Sequence, residues 1–427
     1  MNTVIMDNND CMKLFENFNK LQSGLLLSYI FCSVLIMGTE LLNLLSSAVN
    51  ADFEQAVYNF INLFSVLTAY VACYFLTVSL TDGKKWLKGF WGIVCLAFFQ
   101  TAFKCVYDTE VFFVSGILIA LVLSYFFNRF SVSVSLSVTI VFSIIFGLLA
   151  GYLFEYFENF LMTLAQMISG KGIVSSILFS AADSFFTLFG IHNFRDLFFF
   201  KSYGGSQLIE SSVITGVKDL FEAGYTGELI STYLSGHYYL LFAVVGICIA
   251  MLNKLKHPQK TVLIMLLVSS LFSGNLTLIF LFLFLQSPFL FLSVLFISAL
   301  SFLSAQLLNL NIGYIYNGGI VEMIMYSKNY IYLIAGSVVF FAIGYFVFKF
   351  TYEKHGISDC VNVYIPSRLN SMVEALGGIG NIIRFKDDAL EVRNPKLINT
   401  VKFDCEIDEN IVKSSSEKFI ELKEYLI

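Results

Sequence analysis

A chain of 427 residues that is 57% hydrophobic, holds 47 phenylalanines, is only 13% charged and has a mean hydropathy of +0.76 is too apolar for an ordinary soluble domain. It reads as a polytopic membrane protein followed by a smaller soluble piece. The net charge of −5 places acids at the two ends and basic residues in short loops, which leaves no footprint for nucleic acid.

Met1 to Lys20 is polar and acidic, without the basic start and short apolar stretch of a cleavable signal, so the first span is expected to stay as an anchor. Hydropathy places spans at about 22–47, 57–81, 86–103, 111–127, 131–154, 172–190, 237–253, 261–273, 288–310 and 330–350. Residues 155–171, with Glu155 and Glu158 and then alternating apolar positions, predict an amphipathic connector at the membrane interface. The stretch 205–232 is too polar to cross lipid exposed. It is expected as a loop or as a hairpin folded back into the protein.

The most telling segment runs from Thr261 to Val321, 61 residues without a charge, with Glu322 the sole charged residue between Lys260 and Lys328. Near its middle Ser269, Ser270, Ser273, Gly274, Asn275 and Thr277 interrupt the apolar run, and Gln286-Ser287-Pro288 interrupts it again. Backbone that leaves the helix at membrane depth is tolerated only where protein or a water-filled cavity lines it, so this is where a transporter would hold its substrate. His192, in Gly190-Ile191-His192-Asn193-Phe194, ends a strongly apolar span. It reads either as a capping or headgroup-level residue or as a ligand contact, since a neutral imidazole offers a sugar hydroxyl one donor and one acceptor.

Loop charge gives orientation. Lys84, Lys85, Lys88, Arg129, Lys254, Lys256 and Lys260 follow the second, fourth and seventh spans, while Asp108, Glu110, Glu155 and Glu158 lie on the opposite side. The positive-inside rule then puts the N-terminus and the tail after Lys349 in the cytoplasm. From about Tyr352 the composition turns to Lys, Asp, Glu and Asn, which reads as a small soluble α/β domain, at the lower size limit for a core of its own, or as a partly folded tail. The eight cysteines are scattered without pairing or metal-ligand spacing, so neither a disulfide framework nor a metal site is expected.

Four segments, taken in order, resemble the enzyme IIC component of phosphotransferase sugar transporters of the glucose, maltose and N-acetylglucosamine superfamily. Gly190-Ile191-His192-Asn193-Phe194 resembles that family's Gly-Leu-His-His/Gln motif. Ala223-Gly224-Tyr225-Thr226-Gly227, continuing through Ser235-Gly236-His237-Tyr238-Tyr239, is similar to its "AGD-P-TAG…TGFFP" hairpin and helix. Ser273 to Phe280, ending at Gln286-Ser287-Pro288, falls where the family has "TGITEPIEF…AP". Val373 to Gly378, with Asn381-Ile382, resembles the "ALGG-eNI" opening of the cytoplasmic enzyme IIB domain.

The resemblance implies an all-α polytopic membrane protein of about ten transmembrane helices plus two re-entrant hairpins (about 205–232 and 274–287), with a small C-terminal α/β cytoplasmic domain. Residues 1–350 would be the membrane-embedded transporter domain and 351–427 a degenerate enzyme IIB-like domain. His192, Asn193, Gly274, Asn275 and Thr277 would bind a hexose, disaccharide or amino sugar, with no cofactor and no metal. A homodimer in the bacterial plasma membrane is implied, with separate enzyme IIB and IIA proteins as partners.

The departures matter as much. The family's motif glutamate falls at Thr277, its proline at Leu278, its second glutamate at Phe280, and its second histidine at Asn193. The "C-x-T-R-L-R" phosphocysteine motif has no counterpart, since its cysteine would fall at Arg384 or Leu390, and none occurs between Cys360 and Cys405. Cys405 lies too far downstream among acidic neighbours. No catalytic residue is therefore assigned. Two readings remain at this point: a permease without its own phosphoryl carrier, or a sugar sensor, regulator or accessory protein that keeps the fold.

Overall fold

The computed structural model describes residues 24–38, 67–81, 85–107, 113–170, 172–209, 212–255, 259–314, 317–326 and 330–355, with parts of 372–419. The polar N-terminus, the end of the first expected span and the start of the second lie outside the described residues, as do Asp108, Glu110, Lys84, Lys256, Cys360, Gly377, Gly378 and Asn381. The chain divides into two compact units, Met1–Cys360 and Val361–Ile427.

The first unit is helical. Its elements are α1 (Gly24–Gly38), α2 (Leu67–Leu80), α3 (Lys85–Val106), α4 (Phe113–Arg129), α5 (Val132–Ile168), α6 (Ile173–Leu188) and α7 (Asn193–Phe199). Then come β1 (Ser206–Ile209), β2 (Ser212–Thr215), α8 (Val217–Glu222), α9 (Glu228–Tyr233), α10 (Gly236–Leu252) and α11 (Gln259–Ser273). The unit closes with α12 (Thr277–Gln286), α13 (Pro288–Leu307), α14 (Ile320–Tyr326) and α15 (Tyr330–His355).

Five of the described helical stretches are long and apolar enough to cross a membrane: 86–106, 134–168, 228–252, 288–307 and 330–352. Several expected boundaries recur within a few residues, among them those of α3, α4, α6, α10, α11 and the start of α13. The expected break after residue 154 does not occur. α5 continues for 37 residues, about 55 Å at 1.5 Å per residue, because nothing between Val132 and Ile168 interrupts the backbone hydrogen bonds. Ile145, Leu149, Tyr152, Leu153, Tyr156 and Phe160 leave a broad apolar face of this helix exposed, the surface a membrane helix presents to lipid.

Small residues let these helices approach closely. Gly246 on α10 and Gly344 on α15 face each other's backbones: a Cβ at Gly246 would sit 2.1 Å from the Phe341 carbonyl, and one at Gly344 1.9 Å from that of Ala243. Gly147 and Gly151, four apart on α5, do the same against Phe99 and Phe103 of α3.

An element that helical expectation did not include is the antiparallel hairpin β1–β2, paired from Ser206↔Thr215 to Ile209↔Ser212. It sits in the polar stretch 205–232, which continues as the two short helices α8 and α9. In the second unit β3 (Ile382–Lys386), β4 (Ala389–Val392), β5 (Glu406–Asp408) and β6 (Ile411–Lys413) form an antiparallel sheet in the order β3-β4-β6-β5. Leu390, Val392 and Val412 from the sheet pack with Met372, Leu376 and Phe419 as its core. Leu390 is fully buried, and Cys405 packs against this core.

Candidate functional site

His192 is placed by the way α6 stops. Gly190 adopts φ +70°, a conformation that suits glycine, and the chain closes on itself: the Ile191 N–H donates to the Phe186 carbonyl and the Gly190 N–H to that of Thr187, both at 3.0 Å. This cap turns the chain sharply, so that His192 opens α7 with its carbonyl accepting the Asp196 N–H at 3.1 Å. Asn193 follows as the first residue of α7 and is half-buried.

The second break, between α11 and α12, is held by side chains of the broken segment. The Ser273 hydroxyl donates to the Ser269 carbonyl at 2.9 Å and accepts the Asn275 N–H at 3.0 Å. Asn275 Oδ1 accepts the Thr277 N–H at 3.0 Å, satisfying one of the amides a helix start leaves open. The two breaks meet: Thr277 Oγ1 lies 3.5 Å from His192 Nε2 across 85 residues of sequence, at the outer limit of a hydrogen bond. Thr277 is 6% exposed.

Gly274 has φ +76° and a backbone neighbour on its open side. A Cβ there would stand 2.3 Å from the Asn317 carbonyl and 2.5 Å from the Gly318 carbonyl carbon. The strap 317–319 therefore docks backbone to backbone on the α11–α12 break. Earlier in the chain, Ser235 holds residues 310–312, its hydroxyl donating to the Leu310 carbonyl at 2.7 Å and accepting the Ile312 N–H at 3.1 Å. The strap itself is held by Glu322. This carboxylate is fully buried, and its Oε2 accepts the N–H of Asn317 at 3.0 Å and of Gly318 at 2.6 Å. His237 lies against Gly318, with its ring centroid 5.0 Å from that of Tyr314. Its Nε2 is buried without a hydrogen-bond partner among the described residues.

Beside His192 stands a bidentate ion pair. Arg195 Nε donates to Asp183 Oδ1 at 2.8 Å, and a terminal nitrogen donates to Oδ2 at 2.7 Å and to the Thr187 hydroxyl at 3.1 Å. Both side chains are largely enclosed, 14% and 11% exposed.

Among the expected site residues, His192 and Thr277 come together, while Gly274 and Asn275 build the break that presents Thr277. Asn193 adjoins His192 and makes none of these contacts. Hydropathy and motif reading did not assign Asp183, Arg195, His237, Tyr314 or Glu322 to the site. The available signal was ionisable side chains inside apolar helices, which are costly there and usually face a polar interior. Among the described residues no group of three or more His, Cys, Asp or Glu is placed to hold a metal ion. The site's chemistry is that of hydrogen bonding and paired charge.

No protein-family model matches the chain. A curated relative is the phosphotransferase system glucoside-specific EIICBA component of Staphylococcus carnosus, 24% identical over 231 residues. That alignment takes in 50% of this chain and 32% of the relative, so the chain spans about a third of that protein's length. Together with the apolar helices, this similarity supports a multi-pass membrane protein related to phosphotransferase sugar transport.

Proposed function

We propose that the chain is a sugar permease of the bacterial plasma membrane, built like enzyme IIC of the glucose, maltose and N-acetylglucosamine superfamily. The observation that carries this reading is the meeting of two helix breaks at His192 and Thr277. Polar backbone and side chains inside an apolar helical unit are expensive unless they serve a cavity, and a hydroxyl beside an imidazole is a natural reader of sugar hydroxyls. In this reading His192, Asn193, Gly274, Asn275 and Thr277 line a chamber for a hexose, disaccharide or amino sugar.

The transporter domain is residues 1–350, with about ten spans. The segments 205–232 and 274–287 act as re-entrant hairpins. α12, ten residues long, covers about 15 Å, half the thickness of a bilayer core, which supports that role. Basic loops support cytoplasmic termini.

The tail 351–427 serves as a degenerate enzyme IIB-like domain without a phosphocysteine. Arg384 lies on β3 and Leu390 in the core of the sheet, and no cysteine stands at either place. Phosphoryl transfer coupled to this permease would come from separate enzyme IIB and IIA proteins, and the permease works as a homodimer.

The test is a thermal-shift screen of the purified full chain in detergent against neutral mono- and disaccharides. A ligand that binds only the folded state raises the melting temperature by mass action, about 2.7 kcal/mol of stabilisation at a hundred times its Kd. At least one sugar should raise it in a saturable way. A flat response across the panel would remove the sugar-binding reading.

A further inference from the structure

Arg129, the last residue of α4, carries an uncommitted charge on the outside of the helical unit. Its guanidinium carbon stands 4.8 Å from the centre of the Tyr125 ring, one turn back, and its donors make no hydrogen bond or ion pair among the described residues. It is the sole charged residue between Val111 and Phe154. Around it, the same end of the bundle is aromatic and basic. Lys88 of α3 lies over the Phe127 ring at 5.4 Å, and Asn128 Nδ2 donates to the Leu80 carbonyl of α2 at 3.0 Å, which brings three helix ends together. Trp86 and Phe130, at two of these ends, are both more than half exposed. The sequence there sets Lys84, Lys85, Lys88 and Arg129 against Asp82.

Beyond this cap the surface is apolar along the helix axis. Leu118, Leu121 and Tyr125 are exposed on the face of α4 that ends in Arg129, at the spacing of one helical stripe. From Leu118 to Arg129 the stripe runs about 16 Å at 1.5 Å per residue, against about 15 Å for one leaflet of a bilayer core. α5 turns back from the same end, its Ser135 hydroxyl donating to the Phe126 carbonyl at 3.0 Å, and exposes Val134, Val138 and Val141. Its N-terminus, where the helix dipole is positive, opens at that level.

We propose that this end of α3, α4 and α5 binds an anionic glycerophospholipid, with Arg129 on the headgroup phosphate and an acyl chain along the exposed stripes. Such a site is independent of what the chain transports. A guanidinium offers a phosphate two parallel N–H bonds, and an exposed tryptophan prefers the headgroup level. The excess of cations favours a lipid with net negative charge over a zwitterionic one, whose choline brings a positive charge of its own. One cation near an anionic membrane surface is worth roughly fivefold in partition. An arginine kept only to orient the chain during insertion predicts no lipid preference in the folded protein.

The experiment titrates the purified full chain, in a neutral detergent, with dioleoylphosphatidylglycerol or dioleoylphosphatidylcholine. Melting temperature and native mass spectrometry follow the binding. Phosphatidylglycerol should raise the melting temperature saturably and bind at least fivefold more tightly than phosphatidylcholine. Arg129→Gln, an exposed change that leaves the core alone, should bring the two lipids to within twofold of each other. Arg129→Lys keeps the charge without the fork and should retain part of the preference. Lys104→Gln removes the same charge from the opposite, equally exposed end of α3 and should leave the preference unchanged. Equal binding of both lipids by the wild type overturns the proposal, as does an Arg129→Gln variant that keeps the preference. Equal losses in Arg129→Gln and Lys104→Gln overturn it too, because net charge alone would then be felt. Equal stabilisation by inorganic phosphate would mean a free-anion site in place of a lipid site. A dimer in light scattering that Arg129→Gln dissociates would put a second copy on this face instead.

Discussion

Thr277 Oγ1 stands 3.5 Å from His192 Nε2, although 85 residues separate them. Each ends up there because a helix has been stopped nearby, by the left-handed Gly190 in one case and by the Ser273–Asn275 turn in the other. Removing the hydroxyl should expose what the pairing does. Thr277→Val keeps the shape and deletes one donor and one acceptor, so a bound sugar should lose about 1 kcal/mol, roughly fivefold in affinity, with the fold intact. Titration of the variant beside wild type checks this, and unchanged affinity would remove Thr277 from the chamber.

Gly274 and Gly224 make a controlled pair. Both have positive φ, +76° and +80°, so alanine pays a left-handed penalty of about 1–2 kcal/mol at either position. Only Gly274 also has backbone 2.3 Å from the added Cβ, whereas Gly224 opens onto space. Gly274→Ala should therefore lower the melting temperature clearly more than Gly224→Ala. Equal shifts would mean that the 317–319 strap does not dock on the α11–α12 break.

Much of the helical order was legible in the sequence because long apolar runs end at charge or at breakers. α5 was not, because Glu155 and Glu158 were read as an interface although neither stops a helix. The β1–β2 hairpin was missed because its Gln-Leu-Ile and Val-Ile-Thr runs are short and lie in polar sequence. His192 and Thr277 stood out in the sequence as polar residues at the ends of apolar runs, and the fold brings their side chains together. Asp183 and Arg195 did not, since twelve residues and a capped turn separate them and only the folded chain makes them a pair. Glu322 was conspicuous as a lone charge, yet its partners include two backbone amides, which no side-chain pattern announces.

Glu322 should act as a structural clamp. Glu322→Ala leaves the Asn317 and Gly318 amides without their acceptor, and charge-assisted bonds of this kind contribute about 1.5–3 kcal/mol each. Hydrogen exchange at those two amides should rise by at least tenfold, while exchange within α10 changes little. Glu322→Gln, which keeps an acceptor oxygen, should show a smaller effect. Unchanged protection in Glu322→Ala would show that the strap is held by other contacts.

The C-terminal unit should not accept phosphate. Cys405 is partly buried against the sheet core and lies beside Asp404 and Glu406, while the interval from 361 to 404 has no cysteine. Thiolate attack needs an accessible thiol in an electropositive setting. Incubation with phosphorylated enzyme IIA and labelled phosphoryl donor should leave 361–427 unlabelled by mass spectrometry. An acid-labile thiophosphate on Cys405 would reverse this and restore a phosphotransferase role.

The most direct test of the permease proposal is transport in proteoliposomes preloaded with unlabelled sugar. The full chain should exchange that sugar for external labelled sugar, saturably and well above protein-free vesicles, and His192→Ala should reduce the exchange at least tenfold while remaining folded. Exchange no greater than in empty vesicles, for a sugar the protein binds, would contradict transport and leave a sugar-binding membrane protein in its place.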